Sequence, residues 1–317
     1  MKVLIFVQEQ DGKVLRSSIE AISGMQKLCL DSNDIISTIS FNSSINSELE
    51  GYKINNNYFV DNMSEFHPLK YTSALESIIA KENPDLIAFS HTYQARDWVP
   101  RLSARLNIPF ISDCIDIKKD GHNILVTKQM YQGKVNADIS TKSTAIVSFQ
   151  SGAFRADEVV KGSSGTENIP IDSINDNTIN PLEKFKESKG EVDLSSAAII
   201  VSVGRGISKE ENMYIIEELS KSLSAEIGSS RPVVDYGWIP HERQVGSSGQ
   251  IVSPKLYLAI GISGAIQHQV GMKGSDNIMA INKDPNAPIF EIADYGIVGD
   301  LFEIVPKLTE LIKNHQS

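Results

Sequence analysis

The 317-residue chain reads as an α/β protein of two domains, each a mostly parallel sheet with flanking helices. Three observations lead there. Short β-prone apolar runs alternate with segments of helical spacing along the whole chain, the pattern of a parallel sheet covered by helices. The length exceeds what one small core fills. Between the two alternating regions, from Ser151 to Lys189, the composition shifts to Ser, Asn, Asp, Gly and Lys. Such a stretch reads as a connector, apart from one alternating run at Ile169 to Ile174. The boundary is therefore placed near residue 190, with expected domains 1–190 and 191–317.

In the first domain, Lys2 to Val7 reads as a buried strand, Ser17 to Leu30 as an amphipathic helix, Ile35 to Phe41 as a strand and Tyr58 to Val60 as a short one. Helical spacing returns from Tyr71 to Glu82. ENPDLIAFS then gives a break and a strand whose end carries Ser90, His91 and Thr92. Asp97 to Leu106 is a helix with Arg101 and Arg105 on one face, followed by PFISDCIDI and two further strands near Ile124 and Ala145. This domain lacks a phosphate loop, since VQEQDGK rather than a Gly-rich turn follows its first strand. His91 and Arg96 are its most site-like residues, but loops after strands are polar for solvation as often as for function.

The second domain opens with SSAAIIVSVGRG. Ala197 to Val203 is a buried strand, Gly204 and Gly206 form a turn around Arg205, and Ser208 with Glu211 makes a capping box for a helix running to about Ile227. G-R-G lacks the third glycine of a dinucleotide fingerprint, and no acidic ribose partner stands at the usual distance, so a nicotinamide-type site is unsupported. Arg205 suits either a phosphate or solvent. Ser230 and Arg231 precede a short strand, and QVGSSG concentrates backbone amides and hydroxyls within six residues. Leu256 to Gly261 is the next strand. In the turn ISGAIQH, Gly261 and Gly264 remove Cβ atoms where an anion would come closest and Ser263 adds a hydroxyl, so a phosphate could sit at the helix N-terminus, with Gln267 and His268 on the first turn. Asn277 to Ile281 is a strand ending in Asn282 and Lys283, and ligands of open α/β sheets bind at that end. Each loop alone also fits an ordinary βαβ turn; two of them suggest one extended polyanionic cofactor. The tail from Leu301 to His315 is helical, with Leu301, Ile304, Val305, Leu308, Leu311 and Ile312 as a core stripe and Pro306 within it.

Composition limits the function classes. A formal net charge of −10 argues against nucleic acid and anionic membrane surfaces as partners. Cys29 and Cys114 are too few for a disulfide framework or zinc site, and six scattered histidines show no metal spacing. The initial apolar run is too short for a secretory signal, and no 18-residue apolar stretch occurs, so the protein is expected to be soluble and cytoplasmic.

The run LYLAIGISGAIQHQVGMKGSDNIMAINKDP resembles the signature of the α subunit of electron-transfer flavoprotein. APIFEIADYGIVGDL is similar to that family's C-terminal segment, and HTYQARDWVPRLSARL is a less specific match. The resemblance implies that the C-terminal domain is FAD-binding and Rossmann-like, whereas the N-terminal one shares the sheet of adenine-nucleotide-binding hydrolases and packs against a β subunit. It assigns cofactor contacts to Arg205, Ser230, Arg231, Gln244, Val245, Gly246, Ser247, Ser248, Ser263, Gly264, Ala265, Ile266, Gln267, His268, Asn282, Asp300 and Leu301. Arg231 would stand beside the isoalloxazine and raise its potential, its fixed charge favouring the reduced, anionic ring. Ser248 would bond flavin N5 and His268 would lie near the pyrimidine carbonyl O2. Ser263 to Ile266 would take the pyrophosphate, Asn282 the phosphate or ribityl region, and Asp300 the adenosine end. One departure is VGSSG where many members carry VGQTG; Ser keeps the hydroxyl but loses the methyl that restricts its rotamer.

The function implied is a heterodimeric electron carrier with no substrate turnover of its own, taking electrons from acyl-CoA and related dehydrogenases, as in fatty acid β-oxidation, and passing them to a membrane quinone oxidoreductase. A self-contained flavin- or nicotinamide-dependent oxidoreductase would need an acid–base pair beside the flavin, and the sequence shows no obvious one. An adenine-nucleotide sensor would need the phosphate loop the first domain lacks.

Overall fold

The computed structural model describes residues 1–61, 63, 65–121, 123–131, 133–142, 144–170, 178–179, 194 and 197–316. The chain divides into two compact units, Met1–Lys184 and Phe185–Ser317. Both are α/β, with large, mostly parallel sheets and flanking helices.

The N-terminal unit contains β1 (Lys2–Phe6), the small hairpin β2 (Glu9–Gln10) and β3 (Lys13–Val14), α1 (Arg16–Leu28), β4 (Ile35–Ser40), α2 (Asn46–Leu49) and β5 (Asn56–Phe59). It continues with α3 (Pro68–Glu82), β6 (Leu86–Ser90), α4 (Tyr93–Leu106), β7 (Phe110–Asp120), β8 (Asn123–Met130), β9 (Val135–Thr141), β10 (Ala145–Phe149) and β11 (Thr166–Asn168). The sheet order is β11-β5-β4-β1-β6-β10-β7-β8-β9, parallel up to β7 and antiparallel through β8 and β9. The central strands are apolar on both faces because helices cover both. Val3 and Ile5 pack with Ala21, Ile22 and Met25 of α1, while Leu4 and Phe6 face Leu75 of α3 and Trp98 of α4.

Several boundaries differ from the sequence reading. The helix expected from Asp97 starts at Tyr93, because the Thr92 hydroxyl accepts from the Ala95 N–H and caps it there. The short strand spans Asn56–Phe59. Strand β9 was not expected; it is an edge strand with little buried surface, so it carries no apolar alternation. Within the connector, Thr166–Asn168 pairs with β5 and Ile169 is buried, while residues 171–174 of the expected alternating run lie outside the described residues.

The C-terminal unit contains β12 (Ile199–Val203), α5 (Met213–Leu223), β13 (Glu226–Ser229), α6 (Arg231–Asp235), β14 (Leu256–Ile260), α7 (Ile266–Met272), β15 (Ile278–Asn282), β16 (Tyr295–Val298) and α8 (Leu301–Gln316). Its strands are all parallel in the order β13-β12-β14-β15-β16. The chain leaves β12 toward one edge and returns from β13 to β14 on the other side, so the topological switch point lies between β12 and β14. Ile216 and Leu219 of α5 and Val305 of α8 cover one face, and Met272 of α7 with Ile289 covers the other.

Four expectations are corrected here. Helix α5 ends at Leu223, because Ser224 turns left-handed (φ 50°) and caps it, so Ile227 belongs to β13. Ser208 makes no capping box: it is itself left-handed (φ 69°), its hydroxyl donates to the Gly206 carbonyl, and Asn212 occupies the N-cap position. The segment after Ser230 is the short helix α6 rather than a strand, with Pro232 preset for the first turn. In the tail, Leu301 and Val305 are buried and Pro306 is carried on the exposed side of α8, whereas Leu311 is 59% exposed and outside the core stripe.

Trp98 is fully buried and edge-on to Phe6, Tyr71 and Phe89, with ring centroids 5.1, 5.7 and 5.5 Å away, yet its indole N–H has no partner. Trp98→Ala should cost about 3–5 kcal/mol in denaturant unfolding of this unit. Trp98→Phe, which keeps an aromatic ring and loses no hydrogen bond, should cost less than half as much. Equal costs would contradict this packing.

Candidate functional site

The sequence-predicted site residues of the C-terminal unit fall at the carboxyl ends of its strands, on loops or helix starts except for Asn282, which is the last residue of β15. At the switch point the loops after β12 and β14 touch backbone to backbone. The Gly204 N–H donates to the Ile260 carbonyl at 2.8 Å and the Gly206 N–H to that of Gly261 at 3.0 Å. A Cβ on Gly204 would stand 2.3 Å from the Gly261 oxygen, so only glycine permits the approach. The exposed Arg205 is held on this crossing, and Leu301, at the start of α8, packs against Gly261 from the side.

The turn after β14 is shaped by Gly264, which is left-handed (φ 84°) and lies so close to Ile289 that a Cβ would meet its nitrogen at 2.3 Å. Ile289 N–H donates to the Ser263 carbonyl, and Gln269 Nε2 donates to that of Gly264. Carbonyls are thereby tied down on one side. Among the described residues, none supplies an acceptor for the backbone N–H groups of Ser263, Gly264, Ala265, Ile266 or Gln267. Of these five residues all but Gly264 are exposed, which leaves a run of donors at a helix start turned toward solvent.

The loop from Gln244 to Gly249 is fastened to both β13 and α7. Val245 N–H donates to Ser229, Gly246 N–H to Gln250, and Ser247 N–H to the Gln267 carbonyl at 2.7 Å. A Cβ on Gly271 would meet the Gly246 nitrogen at 2.3 Å, so the loop lies directly on α7. Gln244 Nε2 donates to the Ser248 hydroxyl at 2.9 Å, which leaves that hydroxyl's own proton for an acceptor outside the loop. Ser247 and Ser248 are exposed, while Gln244, Val245, Gly246 and Ser230 are buried beneath them.

Arg231, at the start of α6, has a side chain 69% exposed and a loose pairing with Asp235 at 3.5 Å. The structure does not place it against the other loops. Asn282 turns inward: its Nδ2 donates to Ile262 and its Oδ1 accepts from Asp284 N–H, so it braces the β14 turn rather than projecting from it. Asp300 caps α8 through the Phe302 N–H.

His268 lies on the first turn of α7. Its ring is only 7% exposed and its Nε2 lies 3.0 Å from the fully buried Tyr257 hydroxyl, so it forms part of the floor under the loops rather than their open face. Burial holds its pKa down to about 4 from 6.5, against a smaller raising effect from the Val245 backbone. Sequence reasoning did not find Tyr257; the only trace is an aromatic residue in an otherwise aliphatic strand. Gly271, a glycine inside a helical run, was the available signal for the close approach of the loop.

In the N-terminal unit, His91 is engaged locally. Its Nδ1 lies 2.8 Å from the Ser148 hydroxyl and its Nε2 4.0 Å from Asp113, and burial lowers its pKa against the pull of Asp113. Arg96 lies over the Tyr93 ring at 5.3 Å. Among the described residues no cluster suits a metal ion, and no helix is long and apolar enough to cross a membrane.

The family model described as electron transfer flavoprotein domain matches residues 3–178, and that described as electron transfer flavoprotein FAD-binding domain matches residues 193–273. The chain is 38% identical to the electron transfer flavoprotein subunit alpha of Bacillus subtilis, over 98% of this chain and 97% of that one. It is 36% identical to the protein of the same name from Thermoanaerobacterium thermosaccharolyticum, again over 98% and 97%. The acryloyl-CoA reductase electron transfer subunit beta of Anaerotignum propionicum is 33% identical over 98% of this chain and 95% of its own length.

Below the unfolded-state pKa of about 6.5, the unfolded chain takes up a proton at His268 that the folded one refuses until about pH 4. Stability therefore falls as pH falls through that window, by up to about 3 kcal/mol in all. His268→Gln should remove this slope from the unfolding of the C-terminal unit, and an unaltered slope would show that the ring is not buried neutral.

Proposed function

The chain belongs to the electron transfer flavoprotein family, as an alpha-type subunit, and from that premise we propose that its C-terminal unit holds FAD in the strand-end loops and that the protein carries electrons without turning over a substrate. The observation that carries this reading is the row of acceptor-free backbone N–H groups from Ser263 to Gln267, cradled by Gly264 and lying inside the segment matched as FAD-binding. Such a row fits the pyrophosphate of a dinucleotide, because each oxygen meets a fixed donor that needs no reorganisation. When bound, FAD supplies the one- and two-electron chemistry, and the protein sets its orientation and potential.

The roles of the surrounding residues follow. Arg205, exposed on the glycine crossing, adds a positive charge near the same end. The Ser248 hydroxyl, oriented by Gln244, presents its proton to the ring N5. Ser247 and Gln267 join the two loops so that the donor row and the Ser248 hydroxyl keep a fixed spacing. Arg231 is free enough to lie beside the ring, where its permanent charge stabilises added negative charge and raises the potential. Asp300 and Leu301 close the far side toward the adenosine. Asn282 shapes the turn from within instead of contacting phosphate, and His268 supports the floor as a neutral ring.

We assign the protein a β subunit as its partner, acyl-CoA or related dehydrogenases as donors, a membrane quinone oxidoreductase as acceptor, and a cytoplasmic location. The likeness to a protein named as an electron transfer subunit of acryloyl-CoA reductase supports a CoA-linked partner enzyme. The test is to add an acyl-CoA dehydrogenase and its substrate to the purified heterodimer and follow flavin bleaching and reoxidation by a soluble quinone. Transfer in both directions supports the carrier reading. Bleaching by acyl-CoA without the dehydrogenase would instead make the protein an oxidoreductase in its own right.

Two variants probe the site. Gly264→Ala should purify with little or no flavin while the N-terminal unit unfolds as in the wild type, since the added Cβ collides with Ile289; full flavin content would contradict the cradle. Arg231→Ala should lower the flavin midpoint potential in a dye-coupled titration, with Arg231→Lys intermediate, and an unchanged potential would remove the role given to that charge.

A further inference from the structure

The geometry points to a second binding site, in the N-terminal unit: the cavity over the carboxyl ends of β1 and β4 takes a guanidinium or ammonium head group, held by the Glu9 carboxylate. Ligands of open α/β sheets bind at such strand ends.

The cavity has a volume of about 40 Å³, and Phe6, Phe41, Phe66 and Tyr71 form its apolar wall. Phe6, Phe41 and Tyr71 are buried, and Phe41 lies edge-on to the other two, with centroids 5.2 and 4.5 Å away. Close-packed rings hold the cavity's shape. Its volume is room for about three waters, enough for a planar guanidinium or an ammonium head and too little for a nucleobase.

Gln8, Glu9, Asn42 and Gln94 form the polar side. Among the described residues no basic side chain lines the cavity, so Glu9 carries its only charge and nothing there suits an anion. The carboxylate is held in place: its Oε1 accepts from the Gly12 N–H at the tip of the β2–β3 hairpin, and its Oε2 from Asn42 Nδ2 at 3.1 Å. Asn42 is itself fixed, its Oδ1 accepting from the Ser44 N–H at 2.9 Å. A carboxylate offers about four acceptor positions and these bonds use one on each oxygen, which leaves one on each for the donors of a cationic head. Gln8 Oε1 already accepts from the Thr92 hydroxyl at 2.7 Å, whereas the Gln94 amide makes no hydrogen bond among the described residues, so its oxygen is a further acceptor at the rim. Beside an apolar wall the attraction between cation and carboxylate is stronger than at an open surface. The chain's net charge of −10 adds a general pull on cations.

The test titrates the full chain with its β subunit, 15N-labelled at the tryptophan indoles, with ethylguanidinium and, as the neutral control of the same shape, ethylurea. Trp98 packs edge-on to Phe6 and Tyr71 of the cavity wall and reports on it, while Trp238 in the C-terminal unit serves as the reference. Ethylguanidinium should shift the Trp98 indole signal saturably, with a dissociation constant in the millimolar range, and leave Trp238 unmoved. Ethylurea should shift neither. Two changes at Gln94, which has no hydrogen bond to lose, separate binding from an effect on folding. Gln94→Glu should tighten binding about tenfold, and Gln94→Lys, whose own ammonium reaches the cavity, should abolish it. An equal response to ethylurea, or the same effect from both Gln94 variants, overturns the proposal. Should the wild-type heterodimer not respond at all, its crystal structure identifies the source of the cation. A lysine or arginine of the β subunit seated against Glu9 supports the proposal, and a cavity without one overturns it.

Discussion

The C-terminal unit depends on one close contact, the backbone crossing of the loops that leave β12 and β14. Gly204, Gly206 and Gly261 meet there with no side chain between them, and each of the first two donates a hydrogen bond across the gap. Parallel strands end in loops that would normally diverge. Drawing these two together closes the switch point from one side and aims the following turn, Ile262 to Ala265, across the top of the sheet. The position of the donor row is thus a consequence of which residues lack a Cβ. Substitution at the crossing would move the whole site rather than one contact.

A second layer of organisation separates what supports from what presents. Buried residues, among them Gln244, Val245, Gly246, Gly264, His268 and Leu301, fasten loops to the sheet and to α7, while Arg205, Arg231, Ser247, Ser248, Ser263 and Gln267 face outward. The exposed groups are donors or cations, which suits an anionic group such as a pyrophosphate. The supporting groups are neutral. His268 in particular is kept uncharged by burial, so its contribution is shape and hydrogen-bond direction, not field.

Much of this was legible in the sequence, for identifiable reasons. Strands β12, β14 and β15 announce themselves as short apolar runs because both faces of a parallel sheet are covered, and the glycines after them mark the turns. Element ends were less legible where backbone conformation overrides side-chain pattern. Ser208 and Ser224 adopt left-handed conformations that nothing in their chemistry signals, which undid the expected capping box and shortened α5. The pair Ser230 and Arg231 looked like a strand approach because Val233 and Val234 follow, yet Pro232 preorganises a helical turn. β9 escaped notice because an exposed edge strand need not alternate. Within the site, the directions of the His268 and Asn282 side chains are not legible in the sequence, because they follow from partners elsewhere in the chain, Tyr257 for one and Ile262 for the other.

If the strand-end loops of the C-terminal unit form a dinucleotide cradle, the flavin content of the chain purified together with its β subunit shows it most directly. The expected result is a yellow protein whose released cofactor is FAD, about one per alpha chain, with flavin absorption bands that bleach on stepwise reduction and return on oxidation. A colourless protein that takes up no added FAD would contradict it.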